Sequence, residues 1–438
     1  MTNITVLDSI MGSGKSTYLI QMMNDCALED ARRIHRRRVE ESYDALTDDH
    51  TRRFIYIGMY LDEAERIKDA CPRLDFCLPQ AIDGKKLNHL NQLLAAGQNI
   101  AATHALFQNI NADTFELLQE YRYTLVIDET LECVTNFDDL SKDDIRTLFK
   151  CKHVMEGERN RLVWNHQDWA DYDGKFNRVR DLCDNENLVY LEGKILLWEL
   201  PTKFLGLFSD VFIATYLFEG SLMANYLKAN GVSYRMASVS QKCGMFPYGS
   251  VPEKDIKAKL RSLITVVDDA KLNAVGTKNG RGNPMSATWF EYQTKNKGPA
   301  LRKLKASTYT FFRKHADTPS NLNMWTTYKR AKKHLAGDGY ARGFVPINAK
   351  ATNDYIAKAS LAYLANVFLF PPIKRYFAEN GIEADESLFS LSELVQWVWR
   401  SRIREGKPIT IYIPSERMRR LFLDWLHADS VVELKDAA

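Results

Sequence analysis

Short apolar runs alternate with amphipathic stretches through the first third of the chain. NITVLD (3–8) reads as a buried strand, followed by a glycine-containing turn and a helical pattern over 15–24. The charged stretch ARRIHRRRVEE then reads as an exposed helix or loop. FIYIGM (54–59) is a second strand with helical LDEAERIKDA behind it, NIAATH (99–104) a third, and YTLVIDE (123–129) a fourth. Apolar strands alternating with helices predict parallel α/β layering. The stretch 150–205, rich in Trp, Asp and Asn (VWNHQDWADYDGKF), loses this rhythm and is expected to be an excursion from the first lobe. VFIATYLFEGS (211–221) restores it as a strand and turn. The lobe boundary is expected near 225–235. In the second half the strand candidates are SYRMASV, SLITVV, LNMWTTY, RGFVPIN and PITIYIP, and GTKNGRGN (276–283) reads as a loop.

Composition narrows the class. The 438 residues leave room for two domains, with 45% hydrophobic and 26% charged residues, as in a globular protein. No apolar run reaches the roughly 20 residues of a membrane span. The N-terminal pattern carries no expected secretory signal, and no membrane partner is expected. The seven cysteines are scattered, with no C-x-x-C pair. They suggest reduced thiols in a cytoplasm and no zinc site. The net charge is only +3, yet from Lys271 to His334 there are 14 Lys or Arg against two acids, Glu291 and Asp317. A basic block in a nearly neutral chain points to a polyanion partner.

The most informative segment is Ser9-Ile-Met-Gly-Ser-Gly-Lys15-Ser16-Thr17, between a strand and a helix. Gly12 and Gly14 let backbone N–H groups turn toward phosphate oxygens, and the helix N-terminus favours an anion. Ser9, Gly12, Ser13, Gly14, Lys15, Ser16 and Thr17 are therefore the expected ATP-binding residues. Lys15 would reach the β- and γ-phosphates, and Ser16 would ligate Mg²⁺. Ser9 stands where the pattern G-x-x-x-x-G-K-[ST] has its first glycine. The second element is the strand Thr124–Ile127 ending in Asp128 and Glu129. Placed beside the phosphate strand, Asp128 would hold Mg²⁺ through water and Glu129 would orient or deprotonate the attacking water.

These two elements resemble motifs I and II of the superfamily 2 (DExx-box) helicases, and further segments follow in order. Gly58-Met-Tyr-Leu-Asp-Glu-Ala resembles the motif after the second strand, which in the family touches the nucleic-acid backbone, and Ala102-Thr103-His104-Ala105-Leu106 resembles the next strand-end motif. Ile213-Ala214-Thr215-Tyr216 resembles the Ser-Ala-Thr motif. Met324–Tyr328 resembles the first strand motif of a second lobe, and the run Asn348 to Asn353 stands where motif V would be. Gln396-Trp-Val-Trp-Arg400-Ser-Arg402-Ile-Arg404 resembles motif VI, with Trp399 in place of a glycine and the last arginine displaced by one. The chain is also similar to compact phage-encoded replication helicases.

The resemblance implies an α/β fold of two tandem RecA-like P-loop NTPase lobes with parallel sheets plus an insertion. It divides the chain into 1–230, with the excursion, and 231–438, with the basic segment. It further implies ATP and Mg²⁺ between the lobes, single-stranded DNA as partner, replication proteins nearby, and a host cytoplasm if the chain is phage-encoded. Lys15, Asp128, Glu129, Arg400 and Arg404 are the expected catalytic residues. Gln396, Arg400 and Arg404 at spacing four would share one helix face. Thr103, Lys329, Arg330, Lys332 and Lys333 are the expected strand contacts. Trp289, Phe290, Tyr292, Tyr309, Phe311, Phe312, Trp325 and Tyr328 interleave with the cations and could stack on bases or fill the core. Other classes remain open at this point: a terminase-type packaging ATPase, an ATP-gated origin-binding module that does not unwind, or a small-molecule kinase.

Overall fold

A computed structural model describes residues 2–40, 51–82, 84–107, 110–240, 244–278, 280, 282–348 and 354–429. Along the chain the strands are β1 (Asn3–Asp8), β2 (Phe54–Gly58), β3 (Ile100–Thr103), β4 (Thr124–Asp128), β5 (Val134–Asn136), β6 (Val154–Glu156), β7 (Leu162–Trp164) and β8 (Leu188–Leu191). They continue with β9 (Ile195–Glu199), β10 (Asp210–Thr215), β11 (Arg235–Ser240), β12 (Gly244–Pro247), β13 (Ile264–Val266), β14 (Asn323–Thr326), β15 (Ser360–Tyr363) and β16 (Ile409–Tyr412). The expected α/β class with parallel sheets is borne out. A seven-stranded sheet runs β12-β11-β1-β10-β4-β2-β3, antiparallel only at β12, and a four-stranded sheet runs β13-β16-β15-β14, all parallel. Continuous burial of Ile4–Asp8 and of Phe54–Gly58 fits strands covered by helices on both faces.

Contacts divide the chain into two units. One comprises Met1–Ser9, Ser13–Tyr248 and Phe370–Ala384, the other Ile10–Gly12, Gly249–Leu369 and Asp385–Ala438. The expected boundary near 225–235 therefore falls ahead of two further strands of the first sheet. SYRMASV is β11, paired in parallel with β1, not a strand of the second half. The segment Phe370–Ala384 also returns to the first unit, where Arg375 pairs with Glu192.

The excursion begins earlier than its composition suggests. From β5 onward the chain builds a separate antiparallel sheet, β5-β9-β8, and a β6-β7 hairpin. Its Trp-rich stretch makes a small aromatic core: His153 is ringed by Trp164, Trp169, Tyr172 and Phe176 at centroid distances of 4.1 to 5.8 Å. Burial holds the His153 imidazole below its ordinary pKa.

Three local expectations differ from the structure. Helix α1 (Lys15–Glu40) does not stop near residue 24 but runs on through the arginine-rich stretch. RGFVPIN is not a strand; its Phe344 makes an isolated bridge with Trp325 of the second sheet. The central strand β15 lies instead in ASLAYLANVF, whose Ala/Leu content favours helix locally and is overridden by burial on both sides. Of the segment resembling motif V, Asn348 to Asn353, residues 349–353 lie outside the described residues, as does Cys243.

Candidate functional site

β1 ends in Asp8, which is 4% exposed and organises the turn after β10 by accepting hydrogen bonds from the backbone N–H groups of Leu217 (2.9 Å) and Phe218 (3.2 Å). Ser9 comes next. Its hydroxyl accepts the Val239 N–H of β11 at 2.8 Å, a tie that a glycine could not make. Gly12 and Gly14 have φ of +81° and +95°, backbone that side chains rarely tolerate, and the chain then enters α1 at Lys15. Lys15 Nζ folds back over the loop and donates to the Ser9 carbonyl at 2.5 Å. Ser13 Oγ is buried and makes no hydrogen bond with any described residue. Thr17 is exposed on the first turn of the helix.

The acidic box is brought to this loop across 112 residues: Ser16 Oγ donates to Asp128 Oδ2 at 3.1 Å. The expected place beside the phosphate strand is taken by another strand. β10 lies between β1 and β4, pairing with both, so the Ile213–Thr215 segment is the neighbour of each. This intervening strand contacts the acidic box directly. The Glu129 N–H donates to the Ala214 carbonyl (2.9 Å), and Thr215 Oγ1 donates to Glu129 Oε2 (3.3 Å). Glu129 itself has φ of +71°, a left-handed conformation that turns its side chain out of the strand register.

Side chains not singled out in sequence complete the shell around Asp128. The Tyr56 hydroxyl of β2 donates to Asp128 Oδ2 at 2.9 Å, and Arg66 Nη2 of helix α2 (Leu61–Ala70) lies 3.9 Å from the same oxygen. His104 Nε2 is 3.2 Å from the Asp128 carbonyl oxygen. Burial, reinforced by the Asp128 charge, raises the Tyr56 hydroxyl well above its ordinary pKa, so it remains a donor. Burial and then Asp128 also raise the Glu63 carboxyl, whose Oε2 accepts the Met59 N–H at 2.9 Å. Tyr56 carried a signal: a hydroxyl in an otherwise apolar strand, in register with Val126 two residues before Asp128.

The remaining expected residues are more dispersed. Thr103 ends β3, half-buried and in register with Gly58. Gln396, Arg400 and Arg404 do not share a helix face. The helix Glu386–Trp399 ends there with Arg400 as its C-cap, and Ser401 (ψ −177°) breaks the path before a 3₁₀ turn over Arg402–Glu405. Arg400 is 8% exposed and its charge reaches Tyr363, whereas Arg404 is exposed. Arg402 Nε donates to the Pro408 carbonyl at 2.5 Å, a structural role. Lys329, Arg330, Lys332 and Lys333 are all exposed, but not alike: Arg330 pairs with Glu291 at 2.8 Å and Lys332 lies 4.3 Å from the centre of the Phe344 ring. Of the eight interleaved aromatics, only Tyr292 and Tyr309 are exposed; the others fill the core of the second unit or its margin.

A bound nucleotide with Mg²⁺ fits the groups present at this loop. Gly12 and Gly14 open the cradle, Ser13 Oγ is a buried donor without a described partner, and Ser16 and Asp128 form a hard oxygen pair.

Comparison with known proteins gives a consistent assignment. Residues 258–426 match the family described as YonV C-terminal Rossmann-like domain, and residues 134–198 match YonV middle domain, the latter coinciding with the excursion that starts at β5. Over its length the chain is 35% identical to the SPbeta prophage-derived uncharacterized protein YonV of Bacillus subtilis (strain 168), covering 97% of this chain and 99% of that protein. Among solved structures it is similar to an XPD helicase (11% identity, 94% of this chain and 92% of that chain, TM-score 0.42) and to S. tokodaii Xpd4 (9% identity, 97% and 94%, TM-score 0.45).

Proposed function

The chain belongs to the YonV family, and we propose that it is an ATP-dependent nucleic-acid helicase or translocase. The observation that carries this reading is the meeting of Ser16 with Asp128, and of Thr215 with Glu129, at the carboxyl ends of three adjacent strands. A P-loop alone serves many nucleotide-binding proteins. A P-loop whose acidic box is tied to a Thr from the strand between them has the parts needed to link phosphate state to a second segment of chain.

Lys15 exchanges the Ser9 carbonyl for phosphate oxygens, and the Ser13 hydroxyl and the loop N–H groups complete the cradle. Ser16 and Asp128 hold the metal, with Tyr56 keeping the Asp128 carboxylate oriented. Glu129 holds the proton side of the attacking water, and its left-handed backbone keeps it beside Thr215. Mg²⁺, when bound, neutralises charge on the transferring phosphoryl. By its resemblance to motif VI, the Arg400 segment supplies a cation to that chemistry. The prophage-derived relative supports a phage origin and with it a host cytoplasm as the setting; single-stranded DNA is the substrate that the motif resemblance implies.

The test is the ATPase rate with single-stranded DNA, duplex DNA or RNA added, followed by a strand-displacement assay. Stimulation by a single strand together with displacement is the expected result. Stimulated hydrolysis without displacement makes the chain an ATP-gated binding module instead. Hydrolysis indifferent to every nucleic acid overturns the reading.

A further inference from the structure

The helix Pro299–Thr310 is anchored by Leu301, Leu304, Ser307 and Thr308, which are buried, while Arg302, Lys303, Lys305, Ala306 and Tyr309 face out. Immediately after it the chain makes a π-helical turn, Phe311–His315, which puts both Phe311 and Phe312 into the core, stacked on Tyr412 and Tyr340. The aromatic content of this region is thus largely accounted for by packing. Tyr309 is not: it is 42% exposed, in a helix whose apolar anchoring is already complete.

Tyr309 lies in a groove of about 480 Å³. Arg302, Lys305, Ala306 and Thr310 line it on the helix side, and Ala336, Gly337 and Asp338 line it opposite. That volume is in the range of roughly 300–1,000 Å³ used by small ligands. Among the described residues, neither Arg302 nor Lys305 forms an ion pair, in contrast to Arg330, whose charge is already met by Glu291. Arg302 and Tyr309 are separated by seven helical residues, about 10 Å at 1.5 Å per residue. This is about three steps of a stacked strand at ~3.4 Å each.

We infer that this groove binds a single-stranded nucleic-acid segment, with Arg302 and Lys305 on successive phosphates and a base stacked on Tyr309. A ring face with open solvent above it can receive a base, and every base has a π-face, so the contact is tolerant of sequence. Cations flanking an aromatic are what a strand needs and what an apolar partner does not. Asp338 repels a phosphate on its own side of the groove. It therefore orients the strand with its backbone toward the helix and with base edges, where amino groups can donate to the carboxylate, toward Asp338. Duplex bases are stacked inside and cannot use Tyr309. The inference rests on the proposed nucleic-acid substrate, but not on ATP hydrolysis, and the side chains it names are other than Lys329–Lys333.

The experiment is fluorescence anisotropy of labelled single-stranded DNA and RNA oligonucleotides without nucleotide, at several salt concentrations. The full chain is compared with Tyr309→Ala, Tyr309→Phe and the pair Arg302→Ala/Lys305→Ala, each with its melting curve. Tyr309→Ala is expected to weaken binding by roughly 5- to 150-fold, and Tyr309→Phe to restore it to within about twofold, since the ring carries the contact. The double variant is expected to lower the slope of log K against log salt by about 1.4, at ~0.7 per phosphate on a single strand. Wild-type affinity in Tyr309→Ala, or an equal loss in Tyr309→Phe, overturns the groove and leaves the proposed function standing. Wild-type chain that binds no oligonucleotide overturns both. Tyr309-dependent binding in a chain whose ATPase ignores nucleic acid upholds the groove and removes the motor. An acidic peptide that binds with the same Tyr309 dependence while oligonucleotides do not identifies a protein partner and overturns the inference.

Discussion

The two parallel sheets end differently. At the carboxyl ends of β1 and β4 stand Asp8, Asp128 and Glu129, and their oxygens are engaged: by Leu217 and Phe218, by Ser16 and Tyr56, and by Thr215. The ends of β14 and β15 carry neutral groups. The hydroxyls of Thr326, Thr327 and Tyr363 are buried there and make no hydrogen bond with described residues. Most of the positive charge of the second unit sits outside the sheet, on exposed turns and helices, with Lys257 and Arg400 as buried exceptions. Ligands of open α/β sheets gather at strand ends, but their chemistry depends on the turn and helix that each strand leads into. A glycine turn and a long helix after β1 leave room for the proposed anion cradle, with the Asp128 carboxylate beside it. No such turn succeeds β14, β15 or β16, so the second unit offers surface cations in place of a cradle. On the proposed function, chemistry falls to the first region and strand contact to the second.

The sharpest way to break this contrast is to remove the cradle's cation. Lys15→Ala is expected to abolish ATP hydrolysis, a loss of at least roughly 10²-fold by analogy with removal of a single preorganised donor, with an unchanged melting temperature for the ligand-free chain. Turnover like that of wild type would end the assignment of the site. Next in size is Arg400→Ala. If the second unit contributes to phosphoryl chemistry as well as contact, the single-turnover rate falls by roughly 10³ while nucleotide affinity holds. Arg402→Ala, which releases the Pro408 carbonyl, should lower stability and not the rate. Equal behaviour of the two variants would confine chemistry to the first unit.

A third prediction tests how the second unit is held together. Lys257 is fully buried, donates to the Trp425 carbonyl at 2.5 Å and lies 4.0 Å from the centre of its ring. Burial lowers its pKa to about 7. The unfolded chain therefore binds more protons than the native one between about pH 7 and the ordinary lysine value near 10.4, and stability rises with pH across that window. Below it both states are charged and the burial penalty is fully present. The advantage of Lys257→Met over wild type should narrow, by on the order of a few kcal/mol, as pH rises through the window. A gap that chemical denaturation finds independent of pH would show that the ammonium is compensated in place.

Smaller is the effect of Tyr56→Phe, which deletes one hydrogen bond to Asp128 and keeps the ring. The Mg²⁺ concentration for half-maximal nucleotide binding should rise by roughly 10-fold, as for other groups that orient a metal ligand. An unchanged Mg²⁺ titration would reduce Tyr56 to packing. Smallest is the change of salt slope when Lys329, Arg330, Lys332 and Lys333 become alanine. Because Arg330 and Lys332 are engaged by Glu291 and Phe344, a reduction of about 1.4, at ~0.7 per phosphate on a single strand, is expected from Lys329 and Lys333. A reduction near twice that size would mean that all four reach the strand.

The parts of this protein that depend on neighbours in the chain were legible in its sequence. A buried parallel strand reads as a near-continuous apolar run, so β1, β2, β3 and β4 could be read from NITVLD, FIYIG, IAAT and TLVID. A phosphate loop needs glycines at fixed offsets before a helix, so Gly12, Gly14 and Lys15 identified themselves. Whatever depends on residues far apart required the tertiary structure. Strand order is set by which helices cover which faces, and no local pattern says that β10 separates β1 from β4 or that β11 joins the first sheet. Spacing of four predicted one face for Arg400 and Arg404 only while the helix continued. Ser401 ended it by using its own hydroxyl as a cap for Ile403, a local competition that apolar periodicity does not register. The shell around Asp128 joins α1, β2 and α2 to β4, across separations of 112 residues for Ser16 and 72 for Tyr56. Residues of ordinary type become partners there only because folding puts their polar atoms within hydrogen-bonding reach where water has been excluded.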